Sequence, residues 1–230
     1  MKHQVVTRLP TVSVGHKTLS EWSALFRHFL EGIDLQFDSG HRLDHVERVV
    51  INALKLANEE RGVIYEVLVP AAWLHDCVPI SKHSKQRPQA SRLSADRAQA
   101  LLQELNYPTE YQEAIGHAIR AHSYSAEITP TTLEAKIVQD ADRLDSLGAI
   151  GIARVFLVGG QLENSIYPPH EPFNPARELD ERRYIVDHFF SKLLNLASSF
   201  HTDAGRREAE RRTQYMRRYV DQLVDEVGGD

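Results

Sequence analysis

The chain has 230 residues, 42% of them hydrophobic, a formal net charge of -5 and one cysteine, Cys77. That length allows one sizeable core, and the acidic balance removes any bulk electrostatic case for a nucleic acid or an anionic membrane as partner. A single cysteine excludes an intramolecular disulfide and suits a reducing compartment; Met1 to Val6 lack the apolar core of a signal peptide and no run approaches bilayer-spanning length, so a cytoplasmic location is expected.

Residues 1 to about 18 show no strong periodicity and read as a loose leading segment. Trp22, Leu25, Phe26, Phe29 and Leu30 recur at three- and four-residue steps, the mark of one buried helix face, and Gly32 and Asp38-Ser39-Gly40 mark a loop. From His41, the series Leu43, Val46, Val49, Val50, Ala53, Leu54, Ala57 predicts an amphipathic helix that Gly62 breaks. Val63 to Asp76 is apolar on all sides, with Pro70 set to kink it or to start its second half. Cys77 to Pro88 is a polar loop. Helices are predicted over Ser91–Asn106 and Thr109–Ala121, and from a Thr131 or Thr132 cap through Leu147, continuing into the small-residue run Gly148–Ala153. Gly159 to Asp180, with four prolines, is a long irregular excursion of the kind that is often functional. Helices over Glu181–Ser198 and Ala204–Val227 complete an all-α chain in which no alternating run calls for a sheet. The aromatic residues Trp22, Trp73, Tyr184, Phe189 and Phe190 read as core.

Three clusters carry chemistry. His75-Asp76 closes an apolar helix, where two ionisable groups need partners or cost several kcal/mol; a carbonyl-bonded core histidine and a capping aspartate would explain the doublet taken alone. His41 and His45 stand one turn apart on one helix face, near Arg48, which can pair with Asp44 four residues earlier. In Gln139-Asp140-Ala141-Asp142-Arg143-Leu144-Asp145, Asp142 and Asp145 share a face while Asp140 points away. Carboxylates crowded on a half-buried helix repel one another unless a cation sits among them.

This ordered set resembles the HD-domain superfamily of metal-dependent phosphohydrolases. The runs HRLDHVERV, AAWLHDCV, RAHSYSAEITPTTLEAKIVQDADRLDSLGAIGIARVF and DHFFSKLLNL are similar to one bacterial subfamily of small, single-domain members. The resemblance implies an HD-type helical bundle over residues 20–200, with a metal site between central helices, 1–19 as a leading segment and 201–230 as a C-terminal helix packed on the domain. It places the metal ligands on His45, His75, Asp76 and Asp142, with His41 and Asp140 as the competing positions. Such N and O donors suit Mn, Ni, Co, Fe, Mg or Zn without choosing among them; a second ion would need His117 or His122. The implied catalytic residues are Asp76, His122 and Lys82. The substrate-binding set is His41, Arg48, Lys82, Arg87, Ser91, Ser94, Arg143 and Asp145, with Asp145 orienting a ligand or Arg143. Lys85 and Arg97, like the C-terminal arginines, belong with solvated faces, and His83 is a weaker proton-shuttle candidate.

The expected function is cleavage of a nucleotide phosphoanhydride, pyrophosphohydrolase-like, by metal-activated water. Two alternatives stand beside it: a broad phosphomonoesterase or phosphodiesterase, and a non-catalytic metal- or nucleotide-binding regulatory module. The expected partner is a small phosphorylated molecule, a nucleotide by resemblance, with a homodimer also allowed.

Overall fold

The structure, a computed structural model, describes residues 9–33, 43–80, 84, 86–170, 172–173 and 176–227. They form two compact units, Met1–Asp142 and Arg143–Asp230. The fold is helical, as expected; no helix among the described residues is long and apolar enough to cross a membrane.

The first unit opens on a small antiparallel hairpin, β1 (Ser13–Val14) and β2 (Lys17–Thr18), where the periodicity suggests only loose chain. Two residues per strand are too few to leave an alternating pattern. Gly15 supplies the positive φ that the two-residue turn requires, and Trp22 Nε1 donates to the Val14 carbonyl at 3.0 Å. Thr18 then begins α1 (Leu19–Glu31) with a reciprocal capping box: its hydroxyl accepts from the Glu21 N–H, and the Glu21 carboxylate accepts from the Thr18 N–H. Helix α2 is Leu43–Ala57, and Gly62 in a left-handed conformation turns the chain after it.

Helix α3 (Tyr65–Leu74) is buried at every position from Val67 to Leu74 and packs against α1, α2 and α5. It continues without a break through Pro70, and the molecule compensates locally. Proline has no N–H for the Glu66 carbonyl four residues back, and the Tyr107 hydroxyl donates to that carbonyl instead, at 2.6 Å. Tyr107 also packs edge-on against Trp22, with ring centroids 4.7 Å apart. A short 3-10 turn, Arg87–Gln89, leads into α4 (Ala90–Glu104), followed by α5 (Thr109–His122) and a second such turn, Tyr124–Ala126. Helix α6 (Leu133–Leu144) is capped by Thr132, whose hydroxyl accepts from the Ala135 N–H at 3.2 Å. Glu134, in its first turn, reaches back to accept from the Ile64 N–H at 2.8 Å, tying the start of α6 to the start of α3.

In the second unit the run after α6 is a separate helix, α7 (Gly148–Gln161). Gly148 adopts a positive φ with the Arg212 side chain against it, and this turn breaks the continuous helix expected through Ala153. The helix expected over Glu181–Ser198 is reduced to α8 (Asp187–Ser191) and a 3-10 segment, Leu193–Ser199. Lys192 leaves helical geometry, and Asn195, Ser198 and Ser199 bond to nearby carbonyls that a longer α-helix would use. Helix α9 (Asp203–Val227) packs on α7 and on the 3-10 segment around Phe156, Phe189 and Tyr219. Of the aromatic residues assigned to the core, Trp22, Trp73 and Phe189 are buried and Tyr184 and Phe190 half-buried.

Asp187 is fully buried. Its carboxylate accepts two bonds from Arg177 and one from the Asp180 N–H at 2.6 Å. Burial alone would raise its pKa, but these donors hold it below the ordinary carboxylate value.

Two outcomes follow. Tyr107→Phe should cost about 1–2 kcal/mol in urea denaturation, and that cost should shrink in a Pro70→Ala background, where the helix regains its own N–H. Equal costs in the two backgrounds would break the link between these residues. Because the Asp187 pKa is depressed on folding, its contribution is present above the unfolded value of about 3.9 and is lost as pH falls through the folded one. Asp187→Asn should therefore lose about 3 kcal/mol at neutral pH, with the gap from wild type narrowing below about pH 4. A gap constant with pH would contradict this account.

Candidate metal centre

The possible metal donors of the first unit gather where helices end. His75 follows the last residue of α3, His122 is the last residue of α5 and Asp142 lies in the last turn of α6, while His45 comes from the first turn of α2. Three helix C-termini, each with a partial negative charge, thus favour a cation at this place.

Two groups of donors within 4.8 Å of one another share His75: His45, His75 and Asp142, and His75, Asp76 and His122. His45 Nε2 lies 3.4 Å from Asp142 Oδ1 and 3.4 Å from His75 Nε2. His75 Nε2 is 3.9 Å from Asp76 Oδ2, and His122 Nε2 is 3.4 Å from Asp76 Oδ1. Donors bound at about 2.1 Å to one ion stand roughly 3–3.5 Å apart, so most of these spacings match ligand–ligand edges.

The tautomers fit as well. His75 Nδ1 donates to the Ala72 carbonyl at 2.8 Å, and His122 Nδ1 donates to the Ile119 carbonyl at 2.7 Å. Each bond uses a carbonyl in the last turn of the histidine's own helix and turns Nε2 toward the centre, the usual arrangement of a ligating imidazole. Burial pushes His75 down to about 4, against the pull of Asp76 and Asp142, so it is neutral at physiological pH with a free lone pair on Nε2. Burial opposes ionisation of half-buried Asp142, but the His45 bond and the surrounding histidines hold its pKa far below the ordinary value. Burial also disfavours a charged His122, yet the bond to Asp76 and the two nearby carboxylates raise its pKa. A neutral His75 imidazole and an ionised Asp142, with further imidazole and carboxylate donors around the same point, are a donor set for a divalent cation.

The HD-domain family profile matches residues 42–147. The uncharacterized protein YpgQ of Bacillus subtilis is 30% identical over 207 residues, which cover 88% of this chain and 92% of YpgQ. The chain belongs to the HD-domain superfamily. Among solved structures, an HD-superfamily hydrolase from Bacillus thuringiensis is 31% identical to this HD-domain protein with a TM-score of 0.71, covering 93% of this chain and all of that one. YpgQ crystallised in complex with ADP is 28% identical with a TM-score of 0.70, covering 92% of this HD-domain chain and 97% of the other.

The remaining residues expected at the site are placed as follows. His41 and Lys82, like His83 and Lys85, lie outside the described residues. Arg48 pairs with Asp44 at 2.6 Å, as the four-residue spacing suggests. Arg87 donates to the Ile80 carbonyl at 3.2 Å, and Ser94 Oγ accepts from the Val78 N–H at 3.2 Å; both bonds fasten the chain that follows the doublet. Ser91 is buried, and its hydroxyl finds no partner among the described residues. Asp140 is buried and belongs to neither donor group. His117 accepts from the Thr131 N–H at 3.1 Å and anchors the loop before α6; of the two histidines weighed for a second ion, only His122 stands in the cluster. Arg143 donates to the Ser199 carbonyl, and buried Asp145 is bound at 2.6 Å by Arg154, a partner that no motif suggests.

Metal binding to the folded chain alone should stabilise it by about 2.7 kcal/mol at a hundredfold excess over Kd. We expect added Mn2+ to raise the Tm of chelator-stripped wild type and to leave His75→Ala unmoved. An equal rise in that variant would place the ion elsewhere.

Proposed function

We infer that the protein is a metal-dependent phosphohydrolase that cleaves a phosphoanhydride of a nucleotide. The observation that carries this reading is the pair of donor groups joined at buried His75 and drawn from the ends of four helices. His45, His75, Asp76 and Asp142 would hold the ion. When bound, a divalent cation polarises a phosphoryl oxygen and lowers the pKa of water.

The chain's own residues supply the rest. Buried His75 keeps its Nε2 unprotonated for ligation. His122, with Nδ1 held by the Ile119 carbonyl, presents Nε2 toward Asp76, where it can carry a proton for the leaving oxygen. Arg87 and Ser94 brace the segment after the doublet, and Lys82 is assigned to the phosphate as a point charge. The ADP complex of YpgQ supports a nucleotide as substrate class. A single buried cysteine and a net charge of -5 agree with a cytoplasmic protein that takes a small molecule and no nucleic acid.

The test is a screen of nucleoside triphosphates, diphosphates and monophosphates with Mn2+, reading phosphate and pyrophosphate separately. Pyrophosphate should be released from triphosphates, and His75→Ala and Asp76→Ala should lower kcat/KM by about 1,000-fold, equivalent to about 4 kcal/mol. Phosphate released only from monoesters would make the protein a phosphomonoesterase. Nucleotide binding with no release would make it a regulatory module.

A further inference from the structure

Two buried amides stand beside the cluster and take no part in the chemistry above. Asn52 lies on α2 seven residues after His45, two turns along the same face. Its Nδ2 donates to the carbonyl of Ala141, the residue immediately before Asp142, at 3.3 Å. Gln139 lies on α6, three residues before Asp142, and its Nε2 donates to the carbonyl of Ala121, the residue immediately before His122, at 2.6 Å. Both side chains are almost fully enclosed, with 6% and 3% of their surface exposed.

The two bonds follow one rule. Each ties the helix carrying one member of the cluster to the backbone peptide that carries the next: α2 with His45 to α6 at Asp142, then α6 to α5 at His122. Each accepting carbonyl lies in a helix's last turn, where the intrahelical ladder runs out and an outside donor is needed. The donors come from 89 and 18 residues away in the chain, so neither bond serves local helix formation. A buried amide costs free energy unless bonded, and an apolar residue would fill either place more simply. A directional bond instead fixes the sliding and rotation of one helix against another, which apolar packing leaves softer.

We propose that Asn52 and Gln139 are positioning residues that hold α2, α6 and α5 in register, so that His45 and Asp142 converge within the reach of one cation and His122 stands beside them facing Asp76. The proposal rests on the metal-site reading above and deepens it. Loss of either amide loosens the spacing of the donor atoms while removing none of them. Groups that orient ligands from behind are worth about 10- to 100-fold in metal affinity.

The experiment titrates the full chain with Mn2+, following free Mn2+ by electron paramagnetic resonance, with no nucleotide present. Asn52→Leu and Gln139→Met remove the donor and keep much of the bulk. Each should weaken Mn2+ binding by about tenfold or more. Asp187→Asn, in the second unit, serves as a control for general destabilisation and should bind Mn2+ as wild type does. Where Asn52→Leu fails to fold, Asn52→Ser, too short to reach Ala141, is read in its place. Wild-type affinity in the two amide variants overturns the proposal, as does an equal loss in Asp187→Asn. His75→Ala separates the two levels: if it binds Mn2+ like wild type, the metal site itself is wrong, whereas if it loses the ion while the amide variants keep it, only the positioning role falls.

Discussion

Imidazoles and carboxylates shut away from water at the ends of packed helices create an electrostatic demand that the rest of the first unit is arranged around. His45, His75, Asp76 and His122 are buried and Asp142 half-buried, with neighbouring donor atoms 3.4 to 3.9 Å apart. The C-termini of α3, α5 and α6 add negative partial charge in the same place. Such an arrangement is costly without a counter-charge and favourable with one. His75 and His122 are set for that role, since their Nδ1 protons are already taken by carbonyls of their own helices.

Holding such a cluster requires rigid helices, and the surrounding structure spends its polar side chains on that. The Tyr107 hydroxyl repairs the gap that Pro70 leaves in α3, the helix that ends on the His-Asp doublet. Glu134 fastens the start of α6 to the start of α3, and the Asn52 amide fastens the end of α6 to α2. Helix α6 is thus pinned at both ends, and Asp142 sits next to one of the pins. In the second unit, Asp187 with Arg177, and Asp145 with Arg154, show the same economy: each buried carboxylate is met by an arginine from the same unit.

The sequence made the helical class legible because α1, α2 and α6 carry apolar stripes at helical spacing, and α3 an apolar run too long for a strand. It also brought out the doublet and Asp142, through residue types that an apolar helix end does not otherwise tolerate. It was weaker where local preference yields to context. The β1–β2 hairpin is too short to show alternation, and the Glu181–Ser198 stretch looks helical until Asn195, Ser198 and Ser199 claim backbone carbonyls for themselves. Asp145 read as part of a binding face because nothing in its neighbourhood announces Arg154, nine residues on, as its partner.

The sequence by itself determined which residues can carry charge into the core and on which helices they ride, because helical periodicity and residue chemistry are local properties. Only the tertiary structure decided that His122 faces Asp76 while His117 turns to Thr131, and that Asn52 and Gln139 grip the peptides before Asp142 and His122. Those choices depend on how helices distant in the chain meet, through bonds whose partners no spacing along one helix can name.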